Sequence, residues 1–307
     1  MKIIRETDKI DVTEIAATAG FFDGVHRGHR FLIEELKQRA KARHLPSAVV
    51  TFVQHPRFVL NNDYRPQLLN TFEEKMARLE TTGVDYCIVL EFTKELSELS
   101  AEAFIRDILC KRFHVKMLLV GYDHRFGHNR TDGFEQYVHY GSACGMEVLK
   151  AAPLSEGDRP VSSSEIRRLL EWGKIDEANE MLCTPYSIEG HIVSGAQVGR
   201  TIGFPTANIA VDDPTKIVPK IGVYAVRVTI CGETHKGMLY IGSRPTLDDG
   251  RAVSMEVNIF DFSRDIYTDK IVVEFIHWVR EDIRFESVEK LKEQLEKDRR
   301  SVNGMLL

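Results

Sequence analysis

The sequence predicts an α/β protein with a β half. An amino-terminal Rossmann-like, doubly wound parallel sheet is followed by a small antiparallel β-barrel with a terminal helix. Three observations carry this expectation. From Ile15 to Leu149 short apolar runs alternate with helical periods; after Tyr186 β-rich runs follow one another directly; and only the final stretch, Val288–Arg299, returns to a helical period. Alternation implies a mostly parallel sheet with ligands at the carboxyl ends of its strands. Successive strands closed by one helix fit a barrel better than a second Rossmann unit. At 307 residues the chain is long for one core, so two domains are expected, 1–183 and 184–307.

Ile15–Gly20 is short, apolar and glycine-ended, as a buried strand leaving a sheet should be. Phe31, Leu32, Leu36 and Ala40 then recur at helical spacing between charged residues. Further strands are expected at Ala48–Val53, Asp85–Leu90, Val115–Val120 and Met146–Lys150, with helices opening near Thr71, Ser100 and Asp132. Thr71 with Glu74 makes a capping box, Gly83 a stop, and Ser100 with Glu102 another helix start. Ala151–Arg159 reads as a polar connection, after which Ser162 with Glu165 opens a helix that turns Ile166, Leu169 and Leu170 to one side. Ile175–Leu182 follows as a second short helix, and Thr184-Pro185 closes the pattern. Val223–Ile230 and Thr234–Ile241 flank Cys231-Gly232-Glu233, a hairpin signal, and Val253–Phe260 and Ile271–Val279 are the remaining strands expected.

Composition narrows the function. Hydrophobic content of 43% and charged content of 28% describe an ordinary soluble globular protein, and a net charge of −5 argues against a nucleic-acid binder. Five scattered cysteines without a C-x-x-C pair suit thiols in a reducing compartment rather than disulfides or zinc. Met1–Lys9 has no apolar core of a signal peptide, and no run could span a bilayer. A cytoplasmic protein, monomeric or weakly homo-oligomeric and binding neither nucleic acid nor membrane, is therefore expected.

Two stretches carry chemistry. In Gly20-Phe21-Phe22-Asp23-Gly24-Val25-His26-Arg27-Gly28-His29 a strand ends in a glycine turn that opens a helix. The start of a helix presents unpaired N–H groups and the positive end of its dipole, which suits an anion. The dipole alone contributes about 0.3–1 kcal/mol to an exposed anion, whereas a positioned donor in a dry site contributes about 3–4 kcal/mol to a transition state. His26 and His29, three residues apart on one side of the first turn, are therefore the expected catalytic donors. The second stretch is Gly199-Arg200-Thr201-Ile202-Gly203-Phe204-Pro205-Thr206-Ala207-Asn208. Its glycines can present N–H groups, Arg200 can meet a phosphate, and Thr206 and Asn208 offer oxygen ligands to a hard cation.

The first stretch resembles the H-x-G-H signature of the nucleotidylyltransferase superfamily in its flavin-adenylating branch. The second resembles the defining motif of riboflavin kinases. Three other amino-terminal segments resemble the adenylating family: Thr51–Pro56, a flavin-side loop; Gly121–Gly127, with His124 where Phe is usual; and Val161–Arg167, with Ser164 in place of Thr. Ile221–Tyr224, Ile241–Thr246, Met255–Phe262, Val273–Phe275 and Arg280–Asp282 resemble kinase segments. Nearly the whole chain is thus similar to bacterial bifunctional riboflavin kinase/FAD synthetases. The resemblance implies phosphorylation of riboflavin to FMN in the carboxyl-terminal domain, then adenylylation of FMN to FAD, with ATP and Mg²⁺ in both steps. It implies that ATP for adenylylation meets Gly20, Phe21, Phe22, Asp23, Gly24, His26, His29, Ser163, Ser164 and Arg167. FMN would meet His55, Pro56, Asp123 and Arg125. Kinase ATP would meet Gly199, Arg200, Gly203, Phe204, Pro205, Thr206 and Asn208, with Thr206 and Asn208 on the metal. Glu256 is implied as the kinase base, and Arg167 joins the two histidines as a catalytic residue.

Overall fold

The structure, a computed structural model, describes residues 1–6, 8, 12–60, 67–122, 126–128, 132–153, 161–194, 199, 202–244, 252–264 and 266–306. It forms two compact units, Met1–Val161 and Ser162–Leu307.

The first unit is built on β1 (Lys2–Arg5), β2 (Ile15–Ala19), β3 (Ser47–Phe52), β4 (Tyr86–Leu90), β5 (Val115–Val120) and β6 (Glu147–Lys150), in the spatial order β1-β4-β3-β2-β5-β6. Every pairing is parallel. Chain order runs outward from β2 through β3 to β4, then returns to β5 on the other side. The switch point therefore lies between β2 and β5, where ligands enter such sheets. Helices α1 (Arg27–Ala42), α2 (Pro56–Leu60), α3 (Phe72–Glu80), α4 (Lys94–Glu98), α5 (Ala101–Ala103, continued by a wide π-type helix Phe104–Arg112) and α6 (Phe134–Ala143) fill the connections.

Caps fall where expected. Thr71 and Glu74 close a full capping box, and Ser100 caps α5. One expectation fails: Phe31 is 37% exposed, and Ile33 joins Leu36 and Ala40 on the buried stripe of α1. At about 100° per residue Phe31 stands about 140° from Leu36 around the axis, whereas Ile33 stands about 60° away.

In the second unit, α7 (Ser163–Glu171) and α8 (Ile175–Leu182) precede β7 (Tyr186–Val193), β8 (Ala207–Val211), β9 (Gly222–Ile230), β10 (Glu233–Arg244), β11 (Ala252–Ile259), β12 (Lys270–Arg280) and α9 (Val288–Met305). The six strands close into a barrel in the order β10-β11-β8-β7-β12-β9. The β9–β10 connection is the two-residue turn Cys231-Gly232, with φ of 51° and 79°, as a right-twisting hairpin requires. Ser162 caps α7, and Ile166, Leu169 and Leu170 are buried as expected. The two helices are tied to the barrel through backbone. Asn179 Nδ2 donates to the Phe275 carbonyl at 2.8 Å, and Lys220 N donates to the Leu170 carbonyl at 3.1 Å.

Register separates the two faces of the barrel. Tyr224, Leu239 and Val257 pair across β9, β10 and β11 and are fully buried inside. The adjacent row, Val223, Tyr240, Glu256 and Asn208, lies on the outer face. There Val223 packs with Val302 and Leu306 at the end of α9. The Arg280 guanidinium forks onto Asp298 at 2.8–3.1 Å, and Gln294 Nε2 adds a third donor at 2.8 Å. Asp298 is buried and Arg280 half-buried, so Asp298→Ala leaves a partly desolvated guanidinium without its carboxylate. The expected cost is about 2–3 kcal/mol, or roughly 10 °C in the melting temperature of this unit, read by thermal denaturation.

Candidate active sites

In the first unit the chain leaves β2 at Gly20, whose N–H still pairs with the Val50 carbonyl at 3.0 Å. Phe22 then takes a left-handed φ of 58°, rare for a bulky residue, and its ring is 2% exposed. Core packing thus holds a backbone conformation that this side chain does not favour. A single 3₁₀ turn, Asp23–Val25, follows. The Asp23 carboxylate is buried and accepts from Leu69 N at 3.0 and 3.2 Å and from Asn70 N at 3.2 Å. It braces the turn against the segment entering α3.

His26 caps α1, with Nδ1 accepting from His29 N at 3.4 Å. An accepting Nδ1 leaves the proton of the neutral ring on Nε2. The two imidazoles stack at 3.6 Å and 17°, and the edge of Phe22 meets His29 at 5.0 Å. A Cβ on Gly28 would lie 3.3 Å from the His26 ring, so the glycine of H-x-G-H makes room for the first histidine. His55 lies in the same unit at the turn after β3. Its ring meets Phe21 at 4.6 Å, its Nδ1 accepts from Arg57 N at 3.1 Å, and Pro56 opens α2. The expected flavin-side turn and the histidine turn therefore share a wall. Asp123, His124 and Arg125 lie outside the described residues. Ser163 and Ser164 occupy the first turn of α7 and Arg167 its middle, in the second unit.

The second unit gathers the other set. The Gly199 carbonyl accepts from Phe204 N at 2.9 Å, and a Cβ on Gly199 would lie 2.2 Å from the Phe204 carbonyl oxygen. This loop folds tightly only around a glycine. Phe204 is 6% exposed and anchors it in the core. The Pro205 carbonyl accepts from Asn258 Nδ2 at 2.7 Å. Thr206 Oγ1 lies 3.5 Å from Glu256 Oε2, and Glu256 is directly opposite Asn208 across β8 and β11. The loop thus delivers two neutral oxygen donors beside one carboxylate. Arg200 lies outside the described residues.

Three contributors went unassigned in the sequence. Asn258 fixes the loop carbonyl from two residues beyond Glu256 on the same strand face. Tyr240 stands opposite Glu256 on the other side, its phenol pushed up to about 12 by burial and by the Asp282 carboxylate. Lys75 is buried behind the histidine turn. The signal for Asn258 was its i+2 spacing from Glu256. For Tyr240 it was hairpin register, and for Lys75 its place four residues before Leu79 on an amphipathic helix.

Among the described residues no group of three His, Cys, Asp or Glu could hold a metal ion, and no helix is long and apolar enough to cross a membrane. All five cysteines are free.

Comparison with known proteins assigns each half of the chain to a family model. Residues 8–165 match the family model for FAD synthetase, and residues 182–306 match that for riboflavin kinase. A bifunctional riboflavin kinase/FMN adenylyltransferase of Listeria monocytogenes is 39% identical over 94% of this chain and 91% of its own. Its Escherichia coli counterpart is 37% identical over 92% and 89%, and that of Bacillus subtilis 36% over 91% and 89%. A crystal structure described as a macrolide-efflux protein from Streptococcus pneumoniae has the same fold, with a TM-score of 0.89 and 30% identity over 99% of each chain. With a FAD synthetase region and a riboflavin kinase region in one chain, and relatives similar along nearly all of it, this protein belongs to the bifunctional riboflavin kinase/FMN adenylyltransferase family.

Proposed function

We propose that the two activities of the family are divided at about Cys183, with adenylylation assigned to the histidine turn and kinase chemistry to the Thr206–Asn208–Glu256 cluster. The chain phosphorylates riboflavin with ATP to give FMN and ADP, then adenylylates FMN with a second ATP to give FAD and pyrophosphate. The observation that carries the residue assignment is the convergence on Glu256 of Thr206, whose hydroxyl lies 3.5 Å away, and of Asn208, its partner in register.

In the kinase reaction Glu256 takes the proton of the terminal ribityl hydroxyl as that oxygen bonds to the γ-phosphorus and ADP leaves. Gly199, Gly203 and Pro205 shape the loop that holds the nucleotide, with Phe204 as its anchor and Arg200 assigned by motif. Two neutral oxygen donors near a carboxylate, without an acidic cage, fit an Mg²⁺ ion that keeps water and phosphate ligands. Thr206 and Asn208 would hold it, and its charge would offset that of the phosphates.

In adenylylation an FMN phosphate oxygen bonds to the α-phosphorus of ATP, and the bond to the β-phosphate oxygen breaks. His26 and His29 donate to the phosphates at the start of α1, while Gly20, Phe21, Phe22, Asp23 and Gly24 shape the turn. His55 and Pro56 meet the flavin side. Asp123 and Arg125 are assigned to FMN, and Ser163, Ser164 and Arg167 to the triphosphate, by motif alone. Five free thiols suit the reducing, cytoplasmic setting we assign to this enzyme.

Glu256→Gln tests the assignment. It keeps the shape and removes the base, so FMN formation should lose about two to four orders of magnitude in turnover. The KM for ATP should change little. Steady-state kinetics on riboflavin, with adenylylation of supplied FMN measured in the same preparation, checks it; near-normal turnover would make Glu256 a bystander.

A further inference from the structure

We propose that Lys75 is the positioning residue that locks the histidine turn to the flavin-side turn, so that adenylylation depends on its side chain and riboflavin phosphorylation does not. The inference rests on the assignment of both turns to adenylylation.

Lys75 lies on α3 with its side chain 2% exposed. Nζ donates to the Phe52 carbonyl at 2.7 Å and the Phe21 carbonyl at 3.3 Å, and lies 3.4 Å from Thr51 Oγ1. Thr51 Oγ1 itself donates to the Phe21 carbonyl at 3.0 Å. An ammonium has three donors, and here three acceptors surround it. Two are backbone carbonyls where β2 and β3 give way to the turns carrying His26 and His55. Nζ also stands 4.0 Å from the centroid of the Phe21 ring, the ring whose neighbour is His55.

A structural role alone would not call for a cation at this place. Lys75 sits against the Phe21 and Phe72 rings, where an apolar side chain would fill the same space without desolvating a charge. Burial pulls the Lys75 pKa down to about 8, against the opposing field of the Asp23 carboxylate. Cys87 of β4, the other titratable group near it, has its thiol pushed up to about 12 by burial and is neutral. The fold therefore keeps an unfavourable charge where it cross-links two loop carbonyls. Reaction geometry gives the charge its use. Two reactants from separate loops must meet within a fraction of an ångström, and a 1 Å misplacement costs on the order of 100-fold.

The test uses the full chain and two assays on each preparation, FAD from supplied FMN and FMN from riboflavin. Lys75→Met should lower kcat for FAD formation on the order of 30- to 100-fold while FMN formation stays within twofold. The wild-type protein supplies a readout that needs no variant. The ratio of FAD to FMN activity should fall as pH rises through about 8 and Nζ loses its proton. A Lys75→Met protein that forms FAD within threefold of wild type overturns the proposal. So does a wild-type ratio that stays level from pH 7 to pH 11, a range that also covers an unshifted ammonium. His29→Ala separates this inference from its premise. If His29→Ala abolishes FAD formation and Lys75→Met spares it, only the role of Lys75 fails. If both variants spare it, the assignment of the turns fails first.

Discussion

Asn208→Ala will yield a protein that adenylates supplied FMN at nearly the wild-type rate and forms almost no FMN from riboflavin. Asn208 is 8% exposed, on β8, directly opposite Glu256. In the proposed reaction it is one of two protein oxygens that fix the phosphates relative to Glu256. Losing it removes charge stabilisation worth several kcal/mol, and at ~1.4 kcal/mol per factor of ten this is on the order of a thousandfold. The selectivity of the loss matters as much as its size. The histidine turn and Asn208 belong to different compact units, so a variant that merely misfolds the barrel is recognised by a lowered melting transition. Chromatography of flavin products from riboflavin and from FMN, run side by side, decides the matter. Equal damage to both activities would mean that Asn208 serves a shared structural purpose.

The division of the chain into a parallel sheet and a barrel was legible because the two halves use different hydrophobic periods. What escaped were elements whose local pattern is weak. β1 has only Ile4 buried in its four residues, an edge strand made by pairing with β4 rather than by its own composition. β7 contains Gly190, whose missing side chain leaves room for the Ala210 carbonyl 2.3 Å from where a Cβ would stand. β8 follows directly on the glycine loop and reads as its continuation. Both strands are set by barrel closure, a long-range constraint that no window of sequence contains. The same limit applies to the sites. His26, His29, Thr206 and Asn208 could be found because motif spacing is local. The local signals of Asn258, Tyr240 and Lys75 are too common to mark a role, which strand register gives to the first two and burial to the third. A lysine between Glu74 and Met76 looks like the solvated face of a helix until tertiary packing closes over it.

His29→Ala should have the opposite selectivity to Asn208→Ala: FAD formation from FMN falls by about two to three orders of magnitude, and FMN formation from riboflavin is unchanged. The size follows from removing one positioned donor, about 3–4 kcal/mol when charge builds on a reacting oxygen. The geometry explains why the ground state should suffer less. His26 remains as the cap of α1, and the backbone of the turn is held by Asp23 on Leu69 N and Asn70 N rather than by His29. ATP affinity should therefore weaken only a few-fold, a loss in kcat more than in KM. One structural consequence has to be separated from the chemical one. The His29 ring is stacked on His26 at 3.6 Å and bordered by Phe22, so alanine leaves a gap beside the cap. His29→Asn addresses this by keeping a donor and part of the volume, and it should recover a measurable share of the rate. If His29→Ala and His29→Asn are equally slow while both bind ATP normally, the imidazole itself is required. If His29→Ala forms FAD at nearly the wild-type rate, the second histidine of the turn has no part in the chemistry, and transition-state stabilisation must come from the helix start and His26.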